Sequence, residues 1–128
     1  MEMPTMGAVR VTARIENLGD LHQAELGALP ADRVRRVEVH DALVDTGAPI
    51  LSMPKRLIDQ LGLRPVRTRR ARTSAGPTTV QIHGTARLMI QGRDCPTDVA
   101  EVSDDCPVLI GQNPVSYTHL TLPTILRV

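Results

Sequence analysis

Ala42-Leu43-Val44-Asp45-Thr46-Gly47-Ala48 is the stretch whose reading decides the fold. An apolar run delivers an acid, then a hydroxyl residue, then glycine. The pattern predicts a buried strand ending at Asp45, where the backbone must turn. Thr46 carries a hydroxyl for local hydrogen bonding, and Gly47 lets another backbone approach closely. A carboxylate beside apolar walls is costly unless it is hydrogen-bonded, shares a proton or does chemistry. The competing reading is an ordinary strand-to-turn acid. Asp-Thr-Gly alone recurs by chance, so support must come from elsewhere in the chain.

Composition narrows the field. The 128 residues suffice for one domain and one core, and 41% of them are hydrophobic. There is no Trp or Phe, and Tyr117 is the only aromatic residue, so the core must be aliphatic. Lys55 is the only lysine among the basic residues, and the formal net charge is +1. Near-neutral charge without aromatic platforms argues against nucleic acid as a partner, including through the arginines between Arg67 and Arg72. Cys95 and Cys106 have no zinc-like spacing and read as free thiols rather than a disulfide framework. No metal or organic cofactor is expected. His22, His40 and His83 lack a partnering Ser or Cys pattern; His40 and His83 read as surface or satisfied strand residues. Met1 to Gly7 shows no signal pattern and no stretch reaches membrane-span length, so no membrane partner and a cytoplasmic location are expected.

Taken in order, the chain reads mostly as strands. Val9, Val11, Ala13 and Ile15 alternate with polar residues, the mark of a half-buried strand. Asn17 to Arg33 form an excursion, with helical turns between Leu21 and Leu29 ended by Pro30. Val34, Val37 and Val39 lead into the strand that ends at Asp45. Ile50, Leu51 and Met53 predict a short buried strand. Pro54 suits a first helical position; Leu57, Ile58 and Leu61 share a helix face that Gly62 stops. Arg64 to Thr73 alternates poorly and reads as a solvated edge strand. Ser74-Ala75-Gly76-Pro77-Thr78 is a hairpin tip. Val80 and Ile82 mark the return strand, and Ala86, Leu88 and Ile90 the next, turned by Gln91-Gly92. Val99 and Val102 mark another strand, and Val108-Leu109-Ile110-Gly111 is a final apolar run. This is an all-β domain, a small closed β-barrel with one short helix.

Val115 to Thr124 is out of character: it holds the lone tyrosine and no charge. It reads as a translation of GTC TCT TAT ACA CAT CTG ACG CTG CCG ACG, which resembles the transposase end-adapter of sequencing libraries. The expectation is therefore a domain over residues 6–114, cut short at its C-terminal side, followed by a non-native tail over 115–128. His119 then drops out of any site argument.

The two motifs together, Ala42 to Ala48 and Val108-Leu109-Ile110-Gly111-Gln112-Asn113, resemble those of the retropepsin-like (clan AA) aspartic proteases. Retroviral members pair an Ala-Leu-Leu-Asp-Thr-Gly-Ala turn with a later Ile-Ile-Gly-Arg-Asn, with a flap hairpin between them. Met6-Gly7-Ala8-Val9-Arg10-Val11 is similar to the Met-Gly-x-Val-x-Val opening of bacterial single-domain members. Pro49 departs from the viral pattern, which has an acid there, and the excursion over 17–33 is longer. Bacterial members continue past the second motif with a short helix and a closing strand, so little activity is expected of a chain cut at Pro114.

The resemblance implies an aspartic endopeptidase acting on peptide or protein substrates. With one Asp-Thr-Gly per chain, it implies a homodimer in which each copy supplies Asp45. Thr46, Gly47 and Ala48 would support the site. Ala75 and Gly76 would form the flap, and Leu51 and Ile110 would line a substrate pocket. The alternative is a non-catalytic dimerisation or peptide-binding module on the same fold.

Overall fold

A computed structural model describes residues 8–45 and 50–111. Thr46, Gly47, Ala48, Pro49, the Gln112-Asn113 pair, the Met6-Gly7 opening and the tail lie outside the described residues. The elements run β1 (Ala8–Asn17), α1 (Leu18–Glu25), a 3-10 turn (Ala31–Arg33), β2 (Arg36–Asp45), β3 (Leu51–Pro54), α2 (Lys55–Leu61), β4 (Arg64–Thr73), β5 (Gly76–Ile90), β6 (Arg93–Val102) and β7 (Leu109–Ile110). The all-β expectation holds.

The sheet closes on itself. Strands neighbour one another in the order β1-β2-β7-β3-β6-β5, and β5 pairs back onto β1; β4 attaches only to β5. Alternation decides which side chains enter the ring. Ala13 and Ile15 of β1, Ala42 and Val44 of β2, and Leu51 and Met53 of β3 are fully buried. Leu88 of β5, Val99 of β6 and Ile110 of β7 join them, with Ile58 and Leu61 of α2. The core is aliphatic, as the lack of aromatics requires. Cys95 is a buried free thiol whose pKa burial pushes up, with Asp94 adding to the rise; Cys106 is half-buried and also free.

Three sequence expectations change. The segments read as separate strands around Val80–Ile82 and Ala86–Ile90 form one strand, β5. The chain stays extended through Gly84, and the pairing with β6 shifts between His83 and Ala86. A Cβ at Gly84 would lie 2.8 Å from Asp98 Oδ1, so the glycine admits the neighbouring strand rather than a turn. The first helix also begins earlier than Leu21. Asn17 caps it, accepting from the Asp20 N–H at 3.0 Å, and the helix ends by Glu25. Pro54 sits at the cap of α2 rather than inside it, and Gly62 ends that helix with φ of +67°.

A polar frame ties the excursion to the ring. Asn17 Nδ2 donates to the Leu61 carbonyl at 2.7 Å, so one buried side chain serves the start of α1 and the end of α2. Arg35 forks onto Asp20, with Nε at 2.8 Å, Nη2 at 3.0 Å and its backbone N–H at 3.0 Å. The same guanidinium lies over Gly62, where any Cβ would collide with it. Glu16 is buried but doubly paired, to Arg36 at 2.9 Å and Arg87 at 3.4 Å; Arg87 also holds Asp94 at 2.8 Å.

The Arg35 hydrogen bonds hold the Asp20 carboxyl below its ordinary range, against the opposing effect of burial. A carboxylate with a lowered folded pKa stabilises above its unfolded pKa of about 4, and that contribution is lost as pH falls through the folded value. Asp20→Asn is therefore expected to cost about 1 kcal/mol at neutral pH, since Arg35 is half exposed. In thermal melts the gap between the two proteins should be full at neutral pH and close in acid. A gap that stayed constant into acid would contradict the fork.

Candidate active site

Asp45 is the last residue of β2. Its strand is held on both sides. Against β1 the register is antiparallel, with Val9 opposite Val44 and Ala8 opposite Asp45. Against β7 it is parallel, with Leu43 beside Leu109 and Val44 beside Ile110. The Leu43 N–H donates to the Val108 carbonyl at 2.9 Å. The backbone of Asp45 thus leaves the ring between β1 and the apolar Val108-Leu109-Ile110-Gly111 run, which brings the two sequence motifs together. The buried side chains of Ala42 and Val44 fix the register, because a slip by one residue would expose both.

The hairpin of β4 and β5 has the expected tip. Thr73 pairs with Gly76 across a turn at Ser74 and Ala75, and Gly76 has φ of +110°, a conformation side chains disfavour. Pairing of β5 with β6 begins only at Ile82 opposite Ala100. From Gly76 to Gln81, β5 therefore pairs with β4 alone, as a two-stranded arm.

Beneath that arm lies a cavity of about 300 Å³. Ile50 and Ser52 line it from β3 and the residue before it, Val80 and Ile82 from β5, Ala100 and Val102 from β6. Ile82 is fully buried yet stands apart from the core cluster, on the cavity side of the sheet. Arg69, Arg70 and Ala71 of β4 complete the wall. The cavity adjoins the Asp45 end of β2 through one strand: Ser52 pairs with Leu109, and Leu109 pairs with Leu43. A second cavity, of about 330 Å³, lies between α1 and the β5 and β6 strands at Arg87, Asp94 and Pro96, but its Arg87 and Asp94 are committed to each other.

Leu51 and Ile110 both point into the core and are fully buried. The neighbours of Leu51 in the alternation, Ile50 and Ser52, are the ones that reach the cavity. Period-two spacing carried that signal: with Leu51 and Met53 inward, residues 50 and 52 take the other face. His40 is exposed on β2. His83 is buried, with Nε2 2.9 Å from Glu101 Oε1 and no partner for Nδ1 among the described residues. Among those residues no three His, Cys, Asp or Glu side chains group as a metal site, and no helix is long and apolar enough to cross a membrane.

Comparison with known proteins agrees with this arrangement. The family described as aspartyl protease matches residues 32–113. No curated protein matches the chain. Among solved structures, the solution structure of the simian foamy virus (mac) protease is similar in fold, with a TM-score of 0.54 and 17% identity. That match covers 90% of this chain and 100% of the viral one.

Ile110→Ala tests how far the site strand depends on β7. Loss of a fully buried isoleucine side chain is expected to cost about 2–5 kcal/mol. Urea unfolding should show a lower midpoint, and a loss under about 1 kcal/mol would mean that β7 does not bear on the ring.

Proposed function

The chain belongs to the aspartyl protease family, and on that premise we propose that it hydrolyses peptide bonds with a water held between two aspartates, Asp45 and its counterpart in a second copy. The observation that carries this reading is the register that sets Asp45 at the end of β2, one position past the Val44–Ile110 pair. One ring with one Asp-Thr-Gly supplies one carboxylate, so the second must come from a symmetric partner.

The chemistry follows from the pair. Two carboxyls in contact cannot both ionise, so they share a proton and titrate as a unit. The ionised member takes a proton from water, which attacks the peptide carbonyl. The protonated member donates a hydrogen bond to the carbonyl oxygen, and a proton passes to the departing amine. No metal or organic cofactor enters any step. Thr46 braces the pair, Gly47 lets the substrate backbone come near, and Ala48 supports the site. The arm ending at Ala75 and Gly76 closes over an extended peptide. The cavity of Ile50, Ser52, Val80 and Ile82 takes a substrate side chain, with Leu51 and Ile110 supporting it from the core.

Cleavage of denatured casein, followed across acidic pH, tests the assignment. Asp45→Asn should lower the rate at least ~10²-fold while the far-ultraviolet circular dichroism stays unchanged. Sedimentation of the active protein should show a dimer. Full activity in the variant, or an active strict monomer, would overturn the reading. Selective peptide binding without cleavage would favour the non-catalytic module.

A further inference from the structure

The arginines of β4 are not equivalent. Arg67 lies opposite Ile82 and Arg69 opposite Val80, on the face that looks onto the cavity. Arg67 is paired, its Nη1 2.9 Å from Asp98 Oδ2 on β6. Past Asp98, the β6 residues on that face are Ala100 and Val102, both apolar. The acidic series therefore stops one step before Arg69. Arg69 lines the cavity from that face and has no ion-pair partner among the described residues; Arg70, opposite Thr79, alternates to the other face.

Arg69 is exposed, yet it borders an apolar wall of Val80, Ala100 and Val102, where Ser52 offers the one neutral polar side chain among the lining residues. Next to such a surface a cation attracts an anion more strongly than it would in open water. A guanidinium also matches a carboxylate with two parallel hydrogen bonds.

We propose that this cavity selects an acidic side chain of an extended peptide. A glutamate fits best: its methylenes lie over Val80, and its carboxylate reaches Arg69. The proposal rests on the peptide-cleaving reading above and names the substrate chemistry that site prefers. The same cation could meet phosphate of RNA, but the cavity has no aromatic residue to hold a base, so the peptide is favoured.

Binding, read separately from cleavage, tests it. Fluorescence anisotropy on the whole chain would compare a dye-labelled Ser-Ala-Val-Glu-Val-Ala-Ser peptide with its Gln counterpart. The Glu peptide should bind roughly three- to tenfold more tightly, a margin set by the exposure of Arg69 and reduced by added salt. The preference should vanish in Arg69→Gln, persist in Arg69→Lys at a lower level, and remain whole in Arg70→Gln, on the other face, and in Arg64→Gln, at the far end of the hairpin. Equal affinity for the two peptides, no binding of either, a preference that survives Arg69→Gln, or tighter binding of oligouridylate would overturn the proposal. Asp45→Asn should keep the preference. If the wild-type protein binds the Glu peptide selectively but cleaves nothing, the peptidase reading fails and the cavity assignment stands.

Discussion

Two residues hold the ring shut. Leu109 and Ile110 run parallel to β2 on one side, and Leu109 pairs antiparallel with Ser52 of β3 on the other. Without them β2 and β3 would each present an open edge, and unpaired backbone groups beside an apolar core are costly. Burial reinforces the short ladder: Val108 and Ile110 are sealed in the core on either side of Leu109. The strand that ends in Asp45 therefore gains its second hydrogen-bonding neighbour late in the sequence. This is why the two motifs come as a pair: the acid is placed by the first and fixed by the second.

Around the ring, charged and polar residues carry the long connections. Glu16 would be a liability as a buried acid, but arginines from β2 and β5 meet it, and Arg87 passes the link on to Asp94 at the start of β6. Four strands are tied at one end of the ring in this way. Asn17 and Arg35 do similar work for the helices. Each spans elements far apart in sequence, and each joins the excursion before β2 to α2, the helix that covers the core beyond β3.

Much of this was legible because period two is a strong signal where one face is buried. The alternation of β1, the stop of α2 at Gly62 and the turn at Ser74–Ala75 follow from local chemistry. The strand Arg64–Thr73 gave a weak signal for a physical reason: it lies on the edge, most of its residues are exposed on either face, and pairing with β5 rather than burial makes it extended. The continuity of β5 comes from its pairing with β4 and β6, and the place of Gly84 depends on Asp98 in another strand. The Asn17 bridge to Leu61 spans 44 positions and leaves no local trace. At the site, the position of Asp45 was readable, whereas the cavity walls at Ile50, Ser52 and Arg69 emerge only once β3, β4, β5 and β6 are side by side.

The arm of β4 and β5 stands on a different energetic footing from the ring. Its outer half is backed by no third strand, and it is anchored at its root where Arg67 meets Asp98 and Ile82 meets Ala100. Opening it breaks a two-stranded ribbon and leaves the core packing untouched. On the peptide-cleaving reading proposed above, substitutions there would alter what is gripped and how long it stays without eroding the melting behaviour of the whole. Selection could then retune recognition on the ribbon while the aliphatic interior drifts under its own separate rules.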